Sequence, residues 1–172
     1  KPGKGSTFWF TARLTKGGET VVAEAVLDGD AETLIRQQHA GSRILVVDDE
    51  PINREVAKLQ LEAVGLAVDT AEDGTEAIAL ARKAVYAAIF MDMQMPVVNG
   101  LDATRQIREL AGYAQIPIIA MTANALPEDK ARCLAAGMND FLIKPFDPAT
   151  MFAILLTWLG PRDGMNSASS VR

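Results

Sequence analysis

Asp48, Asp49, Asp92, Thr122 and Lys144 are the residues whose types and spacing could do chemistry. Each closes a short apolar run. Ile44 to Val47 leads into Asp48-Asp49-Glu50, Ala87 to Met91 into Asp92, Ile116 to Met121 into Thr122, and Asp140 to Ile143 into Lys144. A short apolar run bounded by turn residues reads as a buried strand, its last residue emerging at the sheet edge. In a parallel sheet, that carboxyl end is where ligand-handling groups are presented. Taken singly, each residue has an ordinary explanation: an Asp capping a turn or a helix, a surface lysine, a threonine capping the next helix. Four strand ends supplying three carboxylates, a hydroxyl and an ammonium favour one shared site.

Three carboxylates packed together repel, each pair by about 4 kcal/mol at roughly 4 Å and an effective dielectric near 20. One lysine cannot offset all of that and remain free for other work. A divalent cation can, and an all-oxygen site with few protein ligands suits Mg²⁺. Magnesium commonly bridges a carboxylate to a phosphoryl group. A remaining Asp could then act as a nucleophile and form an aspartyl-phosphate. Phosphoryl transfer asks mainly for positioning and charge neutralisation, which the cation, Lys144 and the Thr122 hydroxyl would supply.

The elements that must carry these residues follow from the same reading. After the strand Ile44 to Val47, Pro51 suits the first turn of a helix running to Gly65. Leu66 to Thr70 is a second strand, and Asp73 can cap a helix over Gly74 to Val85. The Asp92 strand is third. Leu101 to Leu110 is a helix with Leu101, Thr104 and Ile107 on one face, and Ile116 to Met121 is the fourth strand. Leu126 to Ala136 is helical and stops at Gly137. Asp140 to Ile143 is the fifth strand, and a last helix runs from Asp147 to Leu159 with Met151, Ile154, Leu155 and Trp158 inward. Five strands alternating with five helices call for an α/β fold, a parallel sheet with helices on both faces.

Composition narrows the function classes. The net charge of −5 disfavours nucleic acid and anionic membrane surfaces as partners. Cys133 is the only cysteine, which excludes a disulfide framework and fits a reducing, cytoplasmic compartment. No apolar run approaches a membrane span, so no membrane contact is expected of this stretch, and the anchoring of any parent chain stays open.

Val47-Asp48-Asp49, Met91-Asp92-Met93-Gln94-Met95-Pro96 with Gly100, Met121-Thr122-Ala123 and Lys144-Pro145-Phe146 resemble the receiver domain of two-component response regulators. The resemblance covers roughly residues 43–160. It implies a flavodoxin-like, doubly wound, five-stranded parallel sheet in the order 2-1-3-4-5 with five helices. It implies Asp92 as the phosphoacceptor, and Mg²⁺ held by Asp48, Asp49, Asp92 and the Gln94 backbone carbonyl. Thr122 and Lys144 would contact the phosphoryl group. Thr122 and Phe141 would be the switch pair, although Phe141 lacks the hydroxyl of the tyrosine often found there. The Lys144-Pro145 bond is cis in the family. Such a domain catalyses its own phosphorylation and dephosphorylation.

Residues 1–15, with Gly3-Lys4-Gly5-Ser6-Thr7-Phe8-Trp9-Phe10, resemble the last glycine-rich box and strand of a sensor histidine kinase ATP-binding domain. Residues 16–42 read as a linker with a short helix over Ala31 to His39, the lone His39 being a solvated residue. Residues 161–172 read as a flexible Ser-rich tail. A kinase tail, a linker and a receiver in this order resemble a hybrid sensor histidine kinase. The partners so implied are a histidine kinase catalytic core and a histidine phosphotransfer protein. A flavin carrier of the same fold would need a Gly/Ser/Thr-rich loop where this chain has Asp48-Asp49-Glu50. A haloacid-dehalogenase-type phosphatase would carry its nucleophile after the first strand, in a D-x-D pattern. On the first helix, Val56, Ala57, Leu61 and Val64 form the stripe expected on the sheet. Ile52, Leu59 and Ala63 form a second, displaced stripe, and Ile52 and Leu59 are expected to stay exposed as a docking patch for the phosphotransfer partner.

Overall fold

The computed structural model describes residues 28–123 and 126–160. The kinase-like residues 1–15, the first part of the linker and the tail 161–172 lie outside them. Six helices and five strands alternate in the described chain: α1 (Asp28–Gln38), β1 (Arg43–Val47), α2 (Pro51–Ala63), β2 (Ala67–Ala71), α3 (Gly74–Lys83), β3 (Ala88–Asp92), α4 (Gly100–Arg108), β4 (Ile118–Thr122), α5 (Pro127–Ala136), β5 (Asp140–Ile143) and α6 (Pro148–Leu159). All pairings are parallel and the sheet order is β2-β1-β3-β4-β5, as expected of the flavodoxin-like fold. Five helices were expected of the receiver; α1, the sixth, falls where a short linker helix was expected over Ala31 to His39.

Alternation along the strands splits the core in two. Leu45, Val47, Ile89, Met91, Ile118 and Ala120 face α3, α4 and α5. Ile44, Val46, Phe90, Ile119, Met121 and Leu142 face α1, α2 and α6. Every strand of the middle three is apolar on both faces because helices cover both. Local sequence sets the helix ends. Asp73, Asn99 and Asp147 accept N-terminal amide hydrogen bonds from Glu76, Asp102 and Thr150, and Pro51, Pro127 and Pro148 occupy first turns. Gly137 ends α5 at φ 97°, a left-handed conformation that glycine adopts freely.

Three expected placements are corrected. His39 is buried, not solvated, and its Nε2 donates to the Gly160 carbonyl at 2.9 Å. It closes α1 against the end of α6, where Ala31 and Ile35 join the core. Val56 is 46% exposed, so the buried stripe of α2 is Ala57, Leu61 and Val64 without it. On α6, Trp158 turns outward to donate to Asp140 Oδ2 at 2.8 Å, while Phe152 takes an inward place.

Candidate functional site

The parallel sheet lines up the ends of β1, β3, β4 and β5, and the five residues singled out in the sequence meet there. Val47 pairs with Met91, Asp92 with Met121, and Thr122 with Ile143. Two further backbone bonds lock the edge: the Met93 amide donates to the Met121 carbonyl, and the Lys144 amide to the Thr122 carbonyl at 2.8 Å. Thr122 and Lys144 are thereby neighbours although 22 positions apart in the sequence. The Lys144-Pro145 bond is cis.

Asp48 and Asp92 are buried and Asp49 is exposed, yet one carboxylate oxygen from each lies within 4.8 Å of the others. Lys144 Nζ donates to Asp48 Oδ2 at 2.5 Å and to Asp92 Oδ2 at 2.6 Å. This half-buried bridge binds two strands that would otherwise hold bare anions against each other. Burial pushes the Asp92 carboxyl above its usual range, with the Asp48 charge adding to the push, against hydrogen bonds from Lys144 and the Gln94 amide. Burial would pull the Lys144 ammonium down, but its hydrogen bonds to Asp48 and Asp92 outweigh that and hold it above its ordinary value.

The structure adds residues that the sequence did not single out. Asn53, in the first turn of α2, donates to Asp48 Oδ1 at 3.2 Å, and the Glu50 amide donates to the same oxygen at 2.9 Å. Arg54 donates to the Asp48 backbone carbonyl. Asn53 and Arg54 curl back over strand β1, five and six positions along the chain; a polar pair opening a helix after Pro51 was the only available signal. Gln94 meets Asp92 through its amide, which donates to Asp92 Oδ1 at 3.0 Å. Gly100 is forced by contact: a Cβ there would lie 2.0 Å from the Asp92 carbonyl oxygen, so only glycine lets α4 start this close to β3. Phe141 is half-buried with the Lys130 ammonium 3.9 Å above its ring centre, a cation–π contact in place of a hydroxyl hydrogen bond. Ile52 and Leu59 are exposed on α2, 70% and 57%.

Three converging carboxylates with an all-oxygen donor set and one ammonium can hold a divalent cation and a transferred anionic group side by side. The family model of the response regulator receiver domain matches residues 44–156, and the chain belongs to that family. Two-component system protein A of Emericella nidulans is 34% identical over 167 residues, covering 91% of this chain and 24% of that protein. The receiver domain of a sensor histidine kinase from Pseudomonas aeruginosa, solved with magnesium coordinated in its active-site cleft, is 45% identical. It superposes with a TM-score of 0.66 over 70% of this chain and 98% of its own. The receiver domain of Ssk1 from Saccharomyces cerevisiae, solved in complex with the histidine phosphotransfer protein Ypd1, is 28% identical with a TM-score of 0.65, covering 69% of this chain and 89% of its own. Hybrid histidine kinases are also among the relatives, and the chain spans about a quarter or less of the length of the curated proteins it matches. Among the described residues no helix is long and apolar enough to cross a membrane.

Proposed function

We propose that this receiver domain takes a phosphoryl group from a phosphohistidine onto Asp92 and passes it to a histidine phosphotransfer partner. The observation that carries the proposal is the Asp92 carboxylate at the end of β3, bridged through Lys144 to Asp48 and joined by Asp49. Asp48, Asp49 and Asp92 suit Mg²⁺ by charge and donor type, with the Gln94 carbonyl as a further ligand; when bound, the ion would neutralise charge on the transferring group. An Asp92 oxygen forms the new bond to phosphorus as the phosphorus–nitrogen bond breaks, and the imidazole leaves with the electron pair. Lys144 moves its hydrogen bonds toward the incoming phosphoryl oxygens, and Thr122 stands on the neighbouring strand to bond another. The Gln94 amide keeps Asp92 in orientation. Hydrolysis of the aspartyl-phosphate by water resets the domain. Thr122 and Phe141 transmit the modified state to the α5–β5 side, where Lys130 rests on the Phe141 ring.

Ile52 and Leu59 form the surface for the phosphotransfer protein, and the Ypd1 complex of a related receiver supports that class of partner. The chain's place is the receiver end of a cytoplasmic hybrid kinase segment, with residues 1–15 the end of a kinase ATP-binding domain. Acetyl phosphate with Mg²⁺ tests the chemistry: intact mass of the wild type should rise by one phosphoryl group and that of Asp92→Asn should not. Equal labelling of the variant would overturn the assignment. Leu59→Glu tests the surface: labelling of Asp92 by acetyl phosphate should be kept, while transfer from phosphorylated Asp92 to a phosphotransfer protein such as Ypd1 should fall at least tenfold, about 1.4 kcal/mol.

A further inference from the structure

Asp48 is 1% exposed, and the donors around its two carboxylate oxygens are not alike. Oδ1 accepts from the Glu50 backbone amide at 2.9 Å and from the Asn53 side-chain amide at 3.2 Å. Oδ2 accepts from the Lys144 ammonium at 2.5 Å, and that ammonium also reaches Asp92 Oδ2 at 2.6 Å. The Asn53 amide is a longer 3.4 Å from Oδ2. Oδ1 is thus held from the start of α2, and Oδ2 is the oxygen turned toward the phosphoacceptor. Arg54 donates to the Asp48 backbone carbonyl, so two consecutive side chains of one helical turn grip Asp48 by its carboxylate and by its main chain.

An exposed amide ordinarily bonds water. Asn53 is exposed, yet its amide reaches back five positions to a buried anion. Its lack of charge matters there. A lysine or arginine in its place would compete with a divalent ion for the carboxylates, and an aspartate would add a fourth negative charge to the cluster. Asparagine supplies a donor and does neither. The need for that donor rises during the reaction proposed above, in which Lys144 turns from the carboxylates to the incoming phosphoryl oxygens. A buried carboxylate that loses its ammonium partner is strongly destabilised unless other donors remain on it. The Glu50 and Asn53 amides remain on Oδ1 when Lys144 leaves Oδ2.

We propose that Asn53 is a positioning residue of the acceptor site: it fixes the Asp48 carboxylate with Oδ2 toward Asp92, and it keeps that carboxylate hydrogen-bonded while Lys144 is drawn to the phosphoryl group. This rests on the phosphorelay reading above and adds to it an uncharged residue that acts through Asp48. The same orientation serves a divalent ion, because a carboxylate held at Oδ1 by uncharged donors leaves Oδ2 for the metal once Lys144 has moved. Groups that orient a metal ligand in this way commonly change metal affinity or activity by about 10–100-fold.

The test uses the full chain and two readings: the Mg²⁺ dissociation constant by calorimetry, and the rate of Asp92 labelling by acetyl phosphate at saturating Mg²⁺. Asn53→Ala should raise the dissociation constant and lower the labelling rate, each by about tenfold. Asn53 is exposed and alanine suits a helical turn, so the fold is not at stake. The same substitution is then made in an Asp48→Asn background, because residues that act through one another are not additive. There Asn53→Ala should change either quantity by less than about twofold. A wild-type dissociation constant and labelling rate for Asn53→Ala, in a chain whose wild type is labelled, would overturn the proposal and leave the phosphorelay reading standing. Equal losses in both backgrounds would also overturn it, since a merely structural role is indifferent to the charge on Asp48. No labelling of the wild type by acetyl phosphate would overturn the phosphorelay reading and this proposal with it.

Discussion

Lys144 divides the three carboxylates unequally. It bridges Asp48 and Asp92, both buried, and leaves Asp49 exposed to solvent. On the proposed magnesium reading, removing Asp49 would take a ligand from the cation without relieving much repulsion in the fold, since an exposed charge contributes little to stability. Asp49→Ala should weaken Mg²⁺ binding about tenfold by calorimetry, while its melting temperature in chelator stays within about 2 °C of wild type. Unchanged magnesium affinity would remove Asp49 from the ligand set. A second residue-scale prediction lies at the opposite end of the sheet. Tyr86 donates to Asp69 Oδ2 at 2.8 Å, and burial first, then that bond, push its phenol above the ordinary value of 10.0. The unfolded chain then releases its proton near pH 10 while the folded chain retains it. The stability this confers is complete below pH 10 and is lost as pH climbs through the folded value. Tyr86→Phe should cost about 1 kcal/mol at pH 7 for the lost bond, yet show a shallower decline between pH 9.5 and 11 in urea melts. Parallel declines would sink this account. At this scale the sequence showed Asp48, Asp49, Asp92, Thr122 and Lys144 because each interrupts an apolar run. It was silent on Asn53 and Arg54, whose role depends on the first turn of α2 folding back over Asp48.

Helix α2 shows what periodicity resolves and what it leaves open. Two apolar stripes occupy it, Ala57-Leu61-Val64 and Ile52-Val56-Leu59, each spaced i, i+4, i+7. Spacing alone cannot assign Val56, which borders both; packing against the sheet does, and it leaves Val56 outside. Strands were simpler, since β1, β3 and β4 are buried on both faces and need only be apolar throughout. In the connections the sequence marked the helix-ending Gly65 and Gly137 and, by resemblance, the cis Lys144-Pro145 bond, but not the backbone of Val97. Val97, in the turn between β3 and α4, has φ 65° and is 85% exposed. A β-branched residue in the left-handed region is strained by about 1–3 kcal/mol, and a side chain 85% exposed gains little packing in return. Asn tolerates that region better. Val97→Asn should stabilise the domain by about 1 kcal/mol in urea denaturation, with labelling of Asp92 by acetyl phosphate as the check that the adjoining turn keeps its shape. A variant less stable than wild type would show that Val97 is held by something other than its backbone angle.

For the whole molecule the decisive addition is α1. The sheet is covered by α3, α4 and α5 on one face, and by α2 and α6 on the other, with α1 completing that second layer. A helix over this segment could be read from its residues, but its docking could not. His39 bonds the Gly160 carbonyl, 121 positions away, and no local pattern encodes a contact that only the closed fold creates. Ile35 is fully buried and Ala31 nearly so, both in the cluster that holds Phe152 and Leu155 of α6. Removing α1 would expose that apolar face of α6, so the segment before Arg43 belongs to the folding unit in energetic terms. Ile35→Ala deletes buried methyl groups and should cost about 2–4 kcal/mol. At roughly 2–4 °C per kcal/mol for a chain of this size, the melting temperature should fall by about 5–15 °C. Ile52→Ala removes a similar volume from an exposed position and should stay within about 0.5 kcal/mol of wild type. Differential scanning calorimetry of the two variants beside the wild type separates the cases. Equal melting of Ile35→Ala and Ile52→Ala would mean that α1 contributes no packing, and that the domain is complete from Arg43 onward.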